Sequence, residues 1–223
     1  MKRENVKHHL SGYTLVEVLA VMSISSLVSV ALGFFLVNAT KDMFWASNKS
    51  IITNDVRHFT TRLTKETLGS NFGVVYYSFS PEDRSRASDQ KQSGETGDCL
   101  VLISMDPYPD VDDDKHYTKL VVFYRLPDEN GEGPVYRVEK TFDTPQPIEV
   151  NQGYDHFEDF LATNFPTAST SADIVLELSR GLANGNLFRN FGNNTFLVNG
   201  EILHGNETKE VTNTYNLTIS PRG

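Results

Sequence analysis

From Tyr13 to Val37 the chain reads "YTLVEVLAVMSISSLVSVALGFFLV", an apolar run with a single charge, Glu17. Its 25 residues, wound as a helix at about 1.5 Å per residue, cover roughly 37 Å, enough to cross a hydrocarbon core of about 30 Å with some tilt. After Val37 the pattern turns polar, but large apolar residues recur at Phe44, Ile52, Val56, Phe59 and Leu63. The last four are spaced by three or four and fall on one helical face. No proline occurs between Met1 and Ser80, and Gly69-Ser70-Asn71 is a suitable stop. The pattern predicts one long helix, its first half apolar all round and its second half amphipathic. Trp45 stands just beyond the apolar run, where an interfacial anchor is expected; it could equally belong to the packing face.

Beyond Asn71 the period changes to two. "GVVYYSF" (73–79), "CLVLISM" (99–105) and "KLVVFYRL" (119–126) are short runs rich in β-branched and aromatic residues, which read as strands. "PVYRVEKTF" (134–142) alternates and follows the turn-rich "DENGEG", which predicts an antiparallel hairpin. "DIVLELS" (173–179) and "YNLTIS" (215–220) are further strands, and "DHFEDFLATNF" (155–165) reads as a short helix. In "TFLVNGEIL" (195–203) the central Asn199-Gly200 predicts a hairpin turn. The polar "SPEDRSRASDQKQSGETGD" (80–98) reads as a surface loop. A helix followed by an antiparallel sheet is the α+β class. The expected organisation is a leader at 1–12, a membrane segment at 13–37, its amphipathic continuation at 38–70 and a β-rich domain at 71–223.

Charge sharpens this picture. Residues 1–12 carry Lys2, Arg3 and Lys7 against Glu4, a net +2. Subtracting that from the formal net charge of -9 leaves -11 for residues 13–223. A basic tip before an apolar run places the N-terminus in the cytoplasm and the remainder outside it. An acidic body argues against nucleic-acid binding. The single cysteine, Cys99, excludes an intramolecular disulfide.

The apolar run admits three readings. Ser29-Val30-Ala31 has the small-x-small form of a signal-peptidase site, although Glu17 is a poor member of a short signal core. A plain membrane anchor tolerates Glu17 near the interface, since a carboxylate costs about 3 kcal/mol at the centre of a span and less at its edge. The third reading accounts for the glycine and the glutamate together. "GYTLVEVLAVM" (12–22) resembles the N-terminal signature of type IV prepilins and type II secretion pseudopilins. The resemblance implies cleavage after Gly12 by a prepilin peptidase, a mature chain starting at a methylated Tyr13, and a role for Glu17 in assembly through the Tyr13 amine of a neighbouring subunit. Tyr stands where the family usually has Phe. Glu17 on its own could also be a snorkelling interfacial carboxylate.

"LVVFYRL" and "GPVYRVE" look like the paired strands of J-type minor pseudopilins and W-type minor pilins, with Arg125 and Arg137 as the corresponding arginines. The plain alternative is two solvent-facing arginines on ordinary strands. Removing 12 residues would leave 211, large for a major subunit of this family, which favours a minor one. The retained Glu17 speaks against the K-type tip subunit. The resemblance implies partnership with prepilin peptidase, with other major and minor subunits and with the inner membrane. The alternative function is a single-pass anchored domain that binds an extracytoplasmic ligand.

No Gly-x-Ser-x-Gly, His-Glu-x-x-His, phosphate-binding loop or Rossmann fingerprint occurs, so no enzyme, cofactor or catalytic residue is expected. His8, His9, His58, His116, His156 and His204 lack metal-ligand spacing. Asp110, Asp112 and Asp114 match the first, third and fifth positions of an EF-hand loop, with Asp113 among them. Lys115 and Val121 stand where that loop requires Gly and Glu, so no EF-hand forms; a looser calcium site at Asp110–Asp114 stays open.

Overall fold

The computed structural model describes residues 13–105, 116–129, 131–147, 161, 165, 173–178, 185–206 and 209–222. The chain divides into two compact units, Met1–Ser47 and Asn48–Gly223. Helix α1 (Leu15–Leu68) is continuous over 54 residues, as the absence of proline allows.

In the first unit the described residues are helical from Leu15 onward. The side chains along the apolar run are exposed in the single chain, from Leu15 and Val16 to Leu36 and Val37. The three hydroxyls of Ser23, Ser26 and Ser29 return to their own helix, donating to the carbonyls of Leu19, Ser23 and Ser25 at 2.8 Å each. No polar group of these side chains then needs water, which suits a helix in lipid. Trp45 is half exposed and contributes no buried ring.

In the second unit the expected stripe is present. Ile52, Phe59 and Leu63 are fully buried and Val56 packs partly against them. The stop also falls where the sequence places it. Gly69 N–H donates to Lys65 O, and the Ser70 hydroxyl to Glu66 O. Asn71 then bonds both ways to the end of a strand, its N–H to Ile103 O and its Oδ1 from Met105 N–H.

The strands are β1 (Phe72–Tyr76), β2 (Thr96–Gly97), β3 (Cys99–Met105), β4 (His116–Arg125), β5 (Gly133–Pro147), β6 (Asp173–Leu178), β7 (Phe188–Gly192), β8 (Thr195–Asn206) and β9 (Lys209–Ile219). All pairings are antiparallel, in the order β1-β3-β4-β5-β6-β8-β7-β2 with β9 on β8. The β4–β5 hairpin pairs Arg125 with Val135 and Phe123 with Arg137, as the turn-rich connection predicts. Since β9 covers one edge of β8 throughout, β6 and β7 share the other. β6 meets it at Leu178↔Ile202 and β7 from Phe188↔Val198.

One sequence expectation fails here. Asn199-Gly200 is not a turn but the middle of β8, where Asn199 pairs with Asn216 and Gly200 with Tyr215. The turn lies six residues earlier, at Asn193 (φ 50°) and Asn194 (φ 57°), the two left-handed residues that a tight hairpin needs. Phe196, Val198, Gly200 and Ile202 are all buried, so the alternation runs straight through Asn199-Gly200 and burial holds it extended. Asn194 also staples the turn to β1, accepting from Gly73 N–H at 2.8 Å and donating to Asn71 O at 2.9 Å.

The sheet has two buried faces. One receives the α1 stripe and carries Val75, Leu100, Leu102, Val121, Phe123 and Phe196 among others. Phe59 meets Phe123 and Tyr215 edge-on, and the Tyr215 hydroxyl bonds to that of Thr60 at 2.9 Å. The other face holds Tyr76, Cys99, Val101, Ile103, Leu120, Val122 and Tyr124, with Leu161 and Phe165 upon it. Only these two residues of the expected 155–165 helix are described; Phe165 N–H donates to Leu161 O, one helical turn back. The segment 80–98 is more than a surface loop. It forms two short 3-10 turns, Pro81–Asp83 and Ala87–Asp89, and ends in β2. Arg84 from this segment is buried, its guanidinium 3.7 Å from the Phe165 ring centroid and its Nε–H on Phe79 O. Gly97 is required where β2 crosses β1, since a Cβ there would lie 2.0 Å from Tyr76 O.

An ionic contact ties the end of α1 to the sheet. Glu66 accepts from Lys119 Nζ on β4 and from Arg137 on β5, each at 2.6 Å, and Arg137 also bonds Glu139. Burial alone would raise the Glu66 pKa, but the hydrogen bonds and charges of Lys119 and Arg137 outweigh it and hold the carboxyl below its ordinary value of 4.5. A carboxylate depressed on folding contributes stability that is complete above the unfolded value and lost as the pH falls through the folded one. We expect wild type to lose more stability than Glu66→Gln as the pH drops below about 4.5. Urea midpoints of the two proteins between pH 7 and 3 measure this; parallel curves would show that the contact is energetically idle.

Candidate functional site

Among the described residues, unusual chemistry gathers at the start of α1 and at the buried Arg125–Asp98 ion pair. Tyr13 lies ahead of the helix and is 87% exposed, and Thr14 directly precedes the first helical residue. Thr14 Oγ1 accepts from Glu17 N–H at 3.3 Å, while Glu17 Oε2 accepts from Thr14 N–H at 2.8 Å and from the Thr14 hydroxyl at 3.0 Å. This reciprocal arrangement is a capping box, in which two helix-end donors are satisfied by a Thr and by a Glu three residues on. It was legible in the sequence as Thr-x-x-Glu ahead of an apolar run. The carboxylate therefore fixes where the helix starts and leaves Tyr13 outside it. Both bonds use Oε2; Oε1 takes neither. Gly12, the other half of the expected cleavage site, lies outside the described residues.

The two arginines of the hairpin are not solvent-facing. Arg137 is the half-buried partner of Glu66 and Glu139. Arg125 is only 1% exposed and is the largest fully buried side chain described. Its Nη2 pairs with Asp98 Oδ2 at 3.1 Å and also donates to Gly185 O, while Nη1 donates to Gly131 O at 3.3 Å. The main chain adds Arg125 N–H to Asp98 O at 2.9 Å, and Asp98 Oδ1 accepts from Leu187 N–H at 2.8 Å. One guanidinium thus joins the β4–β5 turn, the β2–β3 junction and the chain between β6 and β7. Only arginine offers that many donors in a fixed fork. Burial pushes the Asp98 carboxyl up; the charge of Arg125 and its bonds with Arg125 and Leu187 N–H oppose the shift without cancelling it. Both side chains of the pair are buried, and together they clasp the three segments. Sequence pattern located Arg125 but gave no hint of Asp98, which closes a polar segment read as surface.

Among the described residues no group of three His, Cys, Asp or Glu could hold a metal ion. The Asp110–Asp114 loop lies outside those residues, as do His8, His9 and His156. Cys99 is fully buried, and burial raises its thiol pKa far above the ordinary range, so it is not a nucleophile at neutral pH.

A long helix that starts at the Thr14–Glu17 cap, is apolar enough in its first stretch to cross a membrane and is followed by an α+β unit is the make-up of a single-pass, membrane-anchored protein. Residues 8–33 match the family model described as the prokaryotic N-terminal methylation motif. That motif marks the chain as type IV prepilin-like, a precursor of the kind processed by prepilin peptidase and assembled with other pilin-type subunits. No curated protein and no solved structure matches the chain.

Proposed function

We propose that the chain is a structural subunit of the minor pseudopilin or minor pilin type, built into a type II secretion pseudopilus or a type IV pilus, and that it performs no catalysis and needs no cofactor. The observation that carries this reading is the methylation motif in register with the Thr14–Glu17 cap. The peptidase acts after Gly12, and the amine of Tyr13 is methylated. The basic residues before Gly12 keep this end cytoplasmic, and the β-rich domain lies outside the inner membrane. The Tyr-Arg hairpin and the size of the domain support the J-type or W-type minor subunit over a major one.

Intact-mass analysis of chain made together with a prepilin peptidase tests the processing. A mature species beginning at Tyr13 with one added methyl group is expected; an uncut chain, or one beginning at Leu32, refutes the assignment.

In assembly, Glu17 serves two partners. Its Oε2 caps its own helix, and its charge receives the Tyr13 amine of a neighbour, which relieves the cost of a carboxylate among apolar helices. Glu17→Ala should leave membrane insertion intact and lower incorporation, measured by co-purification with the other subunits. Glu17→Gln retains an acceptor for the cap but no charge for the amine, so it should fail in the same assay. If Glu17→Gln incorporates as wild type does, the carboxylate is a helix cap only.

A further inference from the structure

The sheet face turned away from α1 carries a cavity of about 290 Å³ where the β4–β5 hairpin closes against the ends of β6 and β8. Leu176 and Ile202 pack under the helix, so the residues next to them, Glu177 and Leu203, fall on the opposite face and line the cavity. Leu126, Pro134 and Leu203 give it an apolar wall, and Asp128, Glu132 and Glu177 add three carboxyl groups. No lysine, arginine or histidine is among the described residues that line it. The hairpin end is held in one shape. Asp128 N–H donates to Glu132 O at 2.6 Å and Glu132 N–H to Asp128 Oδ1 at 3.0 Å, and a Cβ on Gly133 would run into Leu126 O. The Glu132 and Glu177 side chains have no partner among the described residues. On the same face Leu126 and Ile174 are 49% and 65% exposed, and Ile174 stands opposite Tyr136, whose ring stacks on Tyr124.

We propose that this cavity receives an arginine side chain from a partner protein, carried on a short segment with apolar neighbours. Its volume stands at the low end for ligand pockets, about 300–1,000 Å³, which suits one side chain and not a whole small molecule. Arginine is apolar along its stem and charged at its head, which matches an apolar wall with carboxyl groups beside it. The lining sets the sign of the charge, since three carboxyls without a counter-charge repel an anion and attract a cation. A bare metal ion does not suit, because no three acidic groups among the described residues converge on one point. A guanidinium spreads five donors over a plane and can engage two carboxylates at once. The net charge of -11 on residues 13–223 draws a basic partner towards this chain from a distance. The exposed Leu126 and Ile174 offer contacts to the apolar residues on either side of the arginine. The proposal does not rest on the subunit assignment above.

The peptide acetyl-Leu-Arg-Leu-amide, titrated into full-length protein in mild detergent, tests this. The methyl NMR signals of Leu126 and Leu203 report occupancy, and those of the buried Leu100 and Leu102 report that each variant is folded. We expect saturable shifts at Leu126 and Leu203, and little response to the same peptide with norleucine in place of arginine. Glu132→Gln/Glu177→Gln should weaken binding roughly three- to tenfold, the size expected of two ion pairs open to water. Asp42→Asn/Glu82→Gln removes the same charge from exposed positions outside the cavity and should leave binding unchanged. Unmoved Leu126 and Leu203 signals, equal weakening in the two double variants, or equal binding of the norleucine peptide would overturn the proposal.

Discussion

A fragment beginning at Gly69 will not fold, whereas one beginning at Thr40 will give a soluble domain with cooperative unfolding. The difference is the α1 stripe. Ile52, Phe59 and Leu63 are fully buried and fill the face of the sheet formed by Val75, Leu100, Leu102, Val121 and Phe123. Each large apolar side chain returned to water costs about 1.5–3 kcal/mol, so the three together cost roughly 5–9 kcal/mol. Domains of this size are stable by only about 5–15 kcal/mol. Removing the helix also uncovers the sheet face beneath it, which invites aggregation. The Glu66 contacts with Lys119 and Arg137 and the Thr60–Tyr215 bond disappear as well. Circular dichroism and sedimentation of the two fragments decide the matter. An equally stable Gly69 fragment would mean that the helix merely lies on the domain and is no part of its core. A milder form of the same experiment is Phe59→Ala, expected to cost about 3–5 kcal/mol through transfer and cavity.

Asp98→Ala will cost about 3–5 kcal/mol, the usual consequence of leaving a buried charge without its partner. Arg125 would keep its charge at 1% exposure, and Leu187 N–H would lose its acceptor. Arg125→Met should be comparably harmful, because it strands Asp98 and frees the Gly131 and Gly185 carbonyls. The double variant Asp98→Leu/Arg125→Met should cost clearly less than the two singles together, since neither charge is then left alone. Urea denaturation of the Thr40 fragment gives all three values. Additive effects, or single losses below about 1 kcal/mol, would remove the clasp from the account of this fold.

The elements whose signal is local were legible in the chain. The helix face of Ile52, Val56, Phe59 and Leu63, the stop at Gly69 and the β4–β5 hairpin stand where spacing and turn residues put them. The methylation motif is a contiguous register and is legible for the same reason. Local signals competed at Asn199-Gly200, where turn propensity lost to the burial of Phe196, Val198, Gly200 and Ile202. β2 was not legible, because its two residues pair with Arg189 and Phe188, distant in sequence, and β7 was missed together with the Asn193-Asn194 turn that joins it to β8.

The sequence by itself determined the membrane helix, its continuation, the α+β class and the carboxylate at the helix start, since each rests on periodicity or on residues within one turn of each other. The tertiary structure alone decided that Arg125 is a buried clasp and that Asp98 is its partner. It also decided that Arg84 and the 80–98 segment close one face of the sheet, and that Glu66 holds the helix to β4 and β5. The physical reason is the same in each case. A charged side chain is cheap at the surface and tolerable inside only with partners, and those partners come from chain segments that folding alone brings together.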